Sequence, residues 1–157
     1  MSVMAISGAA SRAWAVADLR PDRIHVADEK KTLAYIRDGL VIGGDQAVNE
    51  YVVKDIRRAS NKGYERMVID LEGNRNGEPL AISRAPYFQI SVTPDERRLV
   101  FTLYGKPKLA FDSKKVQRAF VKSGVVKNVV LLPRLEDDAW TFALELKKGA
   151  PVEVFEL

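Results

Sequence analysis

The feature that most limits what this chain can fold into is an alternation of apolar and polar residues at period two, dominant from residue 24 to residue 157. Successive side chains on a strand point to opposite faces, so this pattern specifies strands that turn one face to a core. Three segments repeat one version of it. Residues 66–73 (RMVIDLEG) and 98–105 (RLVFTLYG) share Arg-apolar-Val-apolar-x-Leu-x-Gly, and residues 142–146 (FALEL) place apolar side chains at the same alternate positions. Each is followed by Gly-x-Pro and a further alternating run, at Gly77-Glu78-Pro79, Gly105-Lys106-Pro107 and Gly149-Ala150-Pro151. Glycine frees the turn, and proline opens a strand that lacks one ladder donor.

A longer similarity lies over the first. Val52-Val53-Lys54-Asp55-Ile56 recurs as Val125-Val126-Lys127-Asn128-Val129, and each copy leads through a polar loop, Asn61-Lys62-Gly63 or Glu136-Asp137-Asp138, into one of the repeated strands. Two halves of one β-structure related by an approximate duplication would give this order. One helix interrupts the strands. Asp112 or Ser113 can cap it, Val116, Ala119 and Phe120 form its apolar face, and Gly124 stops it. Lys114, Lys115, Arg118 and Lys122 occupy the opposite face and are the candidate ligand-binding residues. Residues 32–42 read as a hairpin, with Arg37-Asp38-Gly39 as the tight turn, and Gly43-Gly44-Asp45-Gln46 reads as a boundary. The expected fold is mainly β: a β-sandwich of two related antiparallel sheets with one short amphipathic helix. The division expected is a truncated signal peptide over 1–15, an N-terminal extension with a hairpin over 16–47, and the duplicated sandwich over 48–157.

Composition narrows the chemistry. The 157 residues are 46% hydrophobic and 29% charged, which suits a globular chain able to bury a core without metals or disulfides. With no cysteine and one histidine, there are no thiolate nucleophiles, no Cys/His zinc sites and no serine triad unless His25 supplies its base. His25 lies between Ile24 and Val26 on an alternating run, which expects it on the surface, opposite its apolar neighbours. Glu136-Asp137-Asp138 lacks the rhythm of a calcium loop, and no phosphate-loop, dinucleotide, nucleophile-elbow or zinc-peptidase motif occurs. No catalytic residue, cofactor or metal site is therefore nominated. A net charge of +4 permits attraction to anionic polymers, and it is too small, without a recognition motif, to point to nucleic acid.

The N-terminus carries a short apolar run over residues 3–10, and Ala13-Trp14-Ala15 fits the small-x-small pattern of a leader cut before Val16, although a basic n-region is missing. No run approaches the roughly 18 apolar residues of a spanning helix. The order of motifs in 48–157, with the paired Val-Val-Lys segments, Val68-Ile69-Asp70-Leu71 and then Pro94-Asp95-Glu96-Arg97-Arg98-Leu99-Val100, resembles the AMIN domain. That family comprises the non-catalytic localisation modules of cell-wall amidases and pilus secretins. The resemblance implies a β-sandwich, a periplasmic or envelope address, and peptidoglycan or an envelope protein complex as partner. Phe101-Thr102-Leu103-Tyr104-Gly105 departs from the family pattern in lacking Asp and Pro, as do the helix and the N-terminal hairpin. With no amidase domain after Leu157, the expectation is a binding module acting alone or within a larger assembly. A pilus or secretion adaptor and a small carboxylate-based hydrolase are the alternatives.

Overall fold

The computed structural model describes residues 21–131 and 138–157, so the leader reading of 1–15 and the acidic residues Glu136 and Asp137 lie outside the described residues. After a short 3-10 turn at Pro21–Arg23, the strands are β1 (Ile24–Val26), β2 (Gly39–Gly43), β3 (Glu50–Asn61), β4 (Tyr64–Arg75), β5 (Glu78–Leu80), β6 (Phe88–Thr93), β7 (Arg98–Tyr104), β8 (Lys106–Leu109), β9 (Val126–Leu131) and β10 (Ala139–Leu146). Helix α1 (Ser113–Phe120) falls between β8 and β9. The strands form a six-stranded sheet in the order β1-β2-β6-β7-β10-β9 and a four-stranded sheet in the order β5-β4-β3-β8. The fold is mainly β and sandwich-like, as the alternation requires.

The core follows from register. On β10, Trp140, Phe142 and Leu144 stand opposite Leu103, Phe101 and Leu99 of β7, which stand in turn opposite Phe88, Ile90 and Val92 of β6. One face of the six-stranded sheet is thus a continuous apolar layer. Its aromatic centre is tight: the Phe101 and Phe142 rings stack at 4.6 Å, and Trp140 stacks on Phe142 at 4.8 Å. Tyr51, Val53 and Ile56 from β3 close the same core from the other sheet. The Tyr51 hydroxyl donates to Tyr104 O across the two sheets at 2.7 Å, and burial holds this phenol far above its ordinary pKa.

The two matching quintets occupy matching places. In the β3–β4 hairpin, Val53 pairs with Leu71, Asp55 with Asp70 and Ile56 with Ile69, leaving Lys54 as a bulge. In the β9–β10 hairpin, Val126 pairs with Leu146, Asn128 with Glu145 and Val129 with Leu144, leaving Lys127 as a bulge. A bulge inserts one unpaired residue and turns the strand locally, so both copies re-aim their lysine at the same step. Helix α1 contacts both β3 and β9 and bridges these strands, with Val116 and Phe120 buried beneath it.

Several local expectations give way to tertiary pairing. The sheets are mixed, because β1 pairs with β2 and β3 with β8 in parallel. The 32–42 hairpin does not form: Ile36 makes a two-way bridge with Val152, and β2 takes β6 as its antiparallel partner. Inside the six-stranded sheet Leu40 and Val41 are buried, which a two-stranded hairpin could not achieve. The 43–46 loop is tied to the rest of the fold rather than free, since Gly44 N donates to Glu156 and Asp45 N to Ala85 O. Strand β1 is turned the opposite way from the expectation: His25 lies in register with core-facing Val41, while Ile24 and Val26 face outward. Of the three Gly-x-Pro devices, two open edge strands, β5 and β8, and the third leads to isolated bridges, Val152 with Ile36 and Phe155 with Asp28, rather than to a strand. At the β7–β8 corner Gly105 adopts φ +93°, where a Cβ would lie 2.8 Å from Asn49 O, so the chain changes sheets at a point only glycine fits.

Candidate functional site

Helix α1 starts where the sequence places its cap. The Asp112 carboxylate accepts from Lys114 N at 2.9 Å and Lys115 N at 3.2 Å, satisfying two of the free amides of the first turn. The helix ends at Phe120, before Gly124, and its last turn is held from the sheet: Arg58 Nε donates to Ala119 O at 2.7 Å. Beside that contact Glu65 gathers three partners. Its carboxylate accepts from Ser123 Oγ at 2.5 Å and from Gly124 N at 2.8 Å, and lies 3.2 Å from Arg58 Nη1, both charged side chains being largely buried. Burial alone would raise the Glu65 pKa, but the Ser123 and Gly124 hydrogen bonds and the Arg58 charge outweigh it and hold the carboxyl below its ordinary value. The Ser123 hydroxyl oxygen in turn accepts from Val126 N at 2.7 Å, fixing the entry to β9.

The candidate residues are thus carried on a rigid mount, and the structure divides them. Lys114, Arg118 and Lys122 are exposed and form no ion pair with a described residue. Lys115 is exposed too, but its ammonium donates to the Asp55 carboxylate of β3, which keeps Asp55 well ionised and commits this lysine to holding the helix. Three cations were not singled out from the sequence: Arg97, Lys127 and Lys147. They line an open groove of about 590 Å³ together with Glu96, Arg98, Glu145 and Leu146, four basic side chains against two acidic ones. Arg98 lies 3.8 Å from both carboxylates, and four basic side chains against two acidic ones leave the groove with a formal excess of two positive charges. Lys147 Nζ donates to Ser123 O at 2.6 Å, so the groove adjoins the C-terminal end of α1. The repetition of the Val-Val-Lys segment was the signal available for Lys127: its bulge pushes the side chain into solvent.

Acidic side chains are engaged elsewhere. Arg57 makes a two-pronged pair with Asp70 at 2.5 and 2.8 Å. Glu156 accepts from Arg84 Nε and Nη2 at 3.0 and 2.7 Å and from Gly44 N and Ala85 N at 3.1 Å each. The Arg84 hydrogen bonds, against the opposing effect of burial, lower the Glu156 pKa. The resolved carboxyl shifts, at Asp55, Glu65 and Glu156, are all downward, the opposite of what a general acid held protonated near neutrality requires. Among the described residues no helix is long and apolar enough to cross a membrane. No family model, curated protein or solved structure matches this chain.

Proposed function

We propose that this chain is a non-catalytic binding and localisation module that holds an anionic polymer of the bacterial envelope, with peptidoglycan as the partner. The observation that carries the reading is the cationic face: Lys114 and Arg118 on a capped, anchored helix, and Lys122 in the turn just past its end rather than on it, pair with no described carboxylate and stand next to a groove with Arg97, Lys127 and Lys147. Such a face costs little to organise, because the backbone beneath is fixed by Asp112, Glu65 and Arg58 before any partner arrives. Peptidoglycan stem peptides carry carboxylates that would meet these cations. The AMIN-like order of motifs supports the envelope address. An open groove lined by opposed charges suits reversible holding of an extended polymer, whereas small-molecule catalysis favours an enclosed, largely apolar pocket.

The test is sedimentation of the purified protein with isolated sacculi. Retention is expected at low salt and release at about 0.5 M salt, because the reach of exposed charges falls from roughly 10 Å at 0.1 M to about 3 Å at 1 M. The triple variant Lys114→Glu, Arg118→Glu and Lys122→Glu should lose at least roughly tenfold in affinity while keeping its thermal midpoint. Absence of retention at low salt, or retention indifferent to the triple variant, would refute the proposal.

A further inference from the structure

The four-stranded sheet leaves one long edge open. Strand β5 pairs with β4 only at Gly73, Asn74 and Arg75, so among the described residues no strand extends the ladder beside residues 64–72 on the side away from β3. The other described edges are blunted. Strands β5 and β8 each carry a proline, Pro79 and Pro107, β1 is three residues long, and α1 packs against β9. Where β8 stops beside Val53, α1 takes over along β3, with Lys115 held to Asp55 and Arg58 Nε bonded to Ala119 O. Prolines, short strands and covering helices are ordinary means of keeping a sheet edge from pairing. The open stretch has none of them. It reads YERMVIDLE, without proline or glycine and with an apolar centre, so its outward backbone donors and acceptors form a template for a further strand.

We infer that the occupant of this edge is a second copy of this chain, β4 pairing with β4 about a two-fold axis at Val68. Such an axis makes the pair antiparallel and the contact isologous. Arg66 and Asp70 stand at equal distances on either side of Val68 and carry opposite charges, so the axis sets each Arg66 opposite Asp70 of the other copy, twice over. Opposite charges facing each other across a ladder stabilise it, and like charges there repel. Val68 then meets Val68, and Met67 meets Ile69. An axis at Met67 or at Ile69 would instead set Val68 against Arg66 or Asp70 of the second copy, so the charges select one register. The side chains concerned are reachable. Met67, Ile69 and Leu71 pack toward the core, which turns Arg66, Val68 and Asp70 outward on the alternating strand. Arg66 is exposed and forms no ion pair with a described residue, while Asp70, bound by Arg57 of its own copy, keeps 34% of its side chain exposed. The inference involves none of the basic residues that carry the proposed binding function and stands or falls apart from it.

The test is sedimentation equilibrium of the full chain from roughly 5 to 500 μM, over which a dimer fraction should rise with concentration. Arg66→Asp, which faces Asp70 with a like charge, should weaken the dimer at least roughly tenfold, and Asp70→Arg should do the same by facing Arg66. An equimolar mixture of the two variants should restore it, because each then meets opposite charges on the other. Both substitutions lie on the outward face, so an unchanged far-UV spectrum and thermal midpoint certify the fold. The absence of cysteine allows the register to be read directly. Under mild oxidation Val68→Cys should form an intermolecular disulfide, since residues directly opposite have Cα atoms about 4.5–5.5 Å apart, within disulfide reach. Arg66→Cys should not, its two copies standing about 14 Å apart at roughly 3.4 Å per residue. A monomer at every concentration overturns the inference, and slow exchange of the 64–72 amides in that monomer would make another part of the same chain the occupant. A dimer indifferent to both charge variants, a mixture that restores nothing, or cross-linking as ready at Arg66→Cys as at Val68→Cys overturns it equally.

Discussion

Replacing Glu65 by alanine should be among the most damaging polar substitutions in this protein. The carboxylate accepts from the Ser123 hydroxyl and the Gly124 amide and faces Arg58, and these partners belong to β3 and to the turn between α1 and β9. The Arg58 and Glu65 side chains are only 12% and 14% exposed, so water cannot replace the lost partner without rearrangement. Arg58 Nη1 is within ion-pair range of Glu65 but makes no hydrogen bond of good geometry, so its charge is balanced by proximity, which alanine abolishes. Breaking a largely buried pair from one side costs about 3–5 kcal/mol. That is a large share of the roughly 5–15 kcal/mol by which domains are stable. For a chain of this size it corresponds to a drop in Tm of roughly 6–20 °C. The assay is urea unfolding followed by far-UV dichroism, with wild type, Glu65→Ala and Glu65→Gln compared across pH. Because the folded pKa of Glu65 lies below its ordinary 4.5, the stability it contributes is fully present above pH 4.5 and is lost as pH falls through the lowered folded value. The gap between wild type and Glu65→Gln should therefore be constant near neutrality and narrow in acid. A Glu65→Ala loss below about 1 kcal/mol, the range of a surface pair, would refute the view that this carboxylate holds the hub. A gap that widened in acid would refute the sign.

Two further outcomes follow from the same contacts. Asp112→Ala removes the cap of α1 and should cost about 1 kcal/mol, with Asp112→Asn recovering most of it, as read from denaturant midpoints. Glu156→Gln keeps the shape but loses the charge facing Arg84, so it should speed amide exchange at Gly44 and Ala85, measured by deuterium uptake, while leaving β7 and β10 protected.

The class of fold was readable because the alternation is long and regular: a period of two over more than a hundred residues admits little else, and the repeated quintets do occupy equivalent hairpins down to the bulged lysine. The helix was readable because its signals are local, an acidic cap followed by apolar residues at i, i+3 and i+4. Half of the cationic face was readable for the same reason. What failed in each case was partner choice. Lys115 has the composition of a free ligand-binding lysine, and only the approach of Asp55 from a strand sixty residues away commits it to the scaffold. Arg97, Lys127 and Lys147 lie on three different segments and become one groove only when β7, β9 and β10 are laid side by side.

The sequence by itself determined which residues alternate, where the chain can turn and which segments repeat, because those properties depend on neighbours a few positions away. Only the tertiary structure decided which strand each strand would pair with and therefore which side of each counts as inside. The failed hairpin at 32–42 and the reversed β1 show the reason. A short strand gains little from its nearest neighbour along the chain and far more from a place in a six-stranded sheet, where Leu40 and Val41 are both taken out of water.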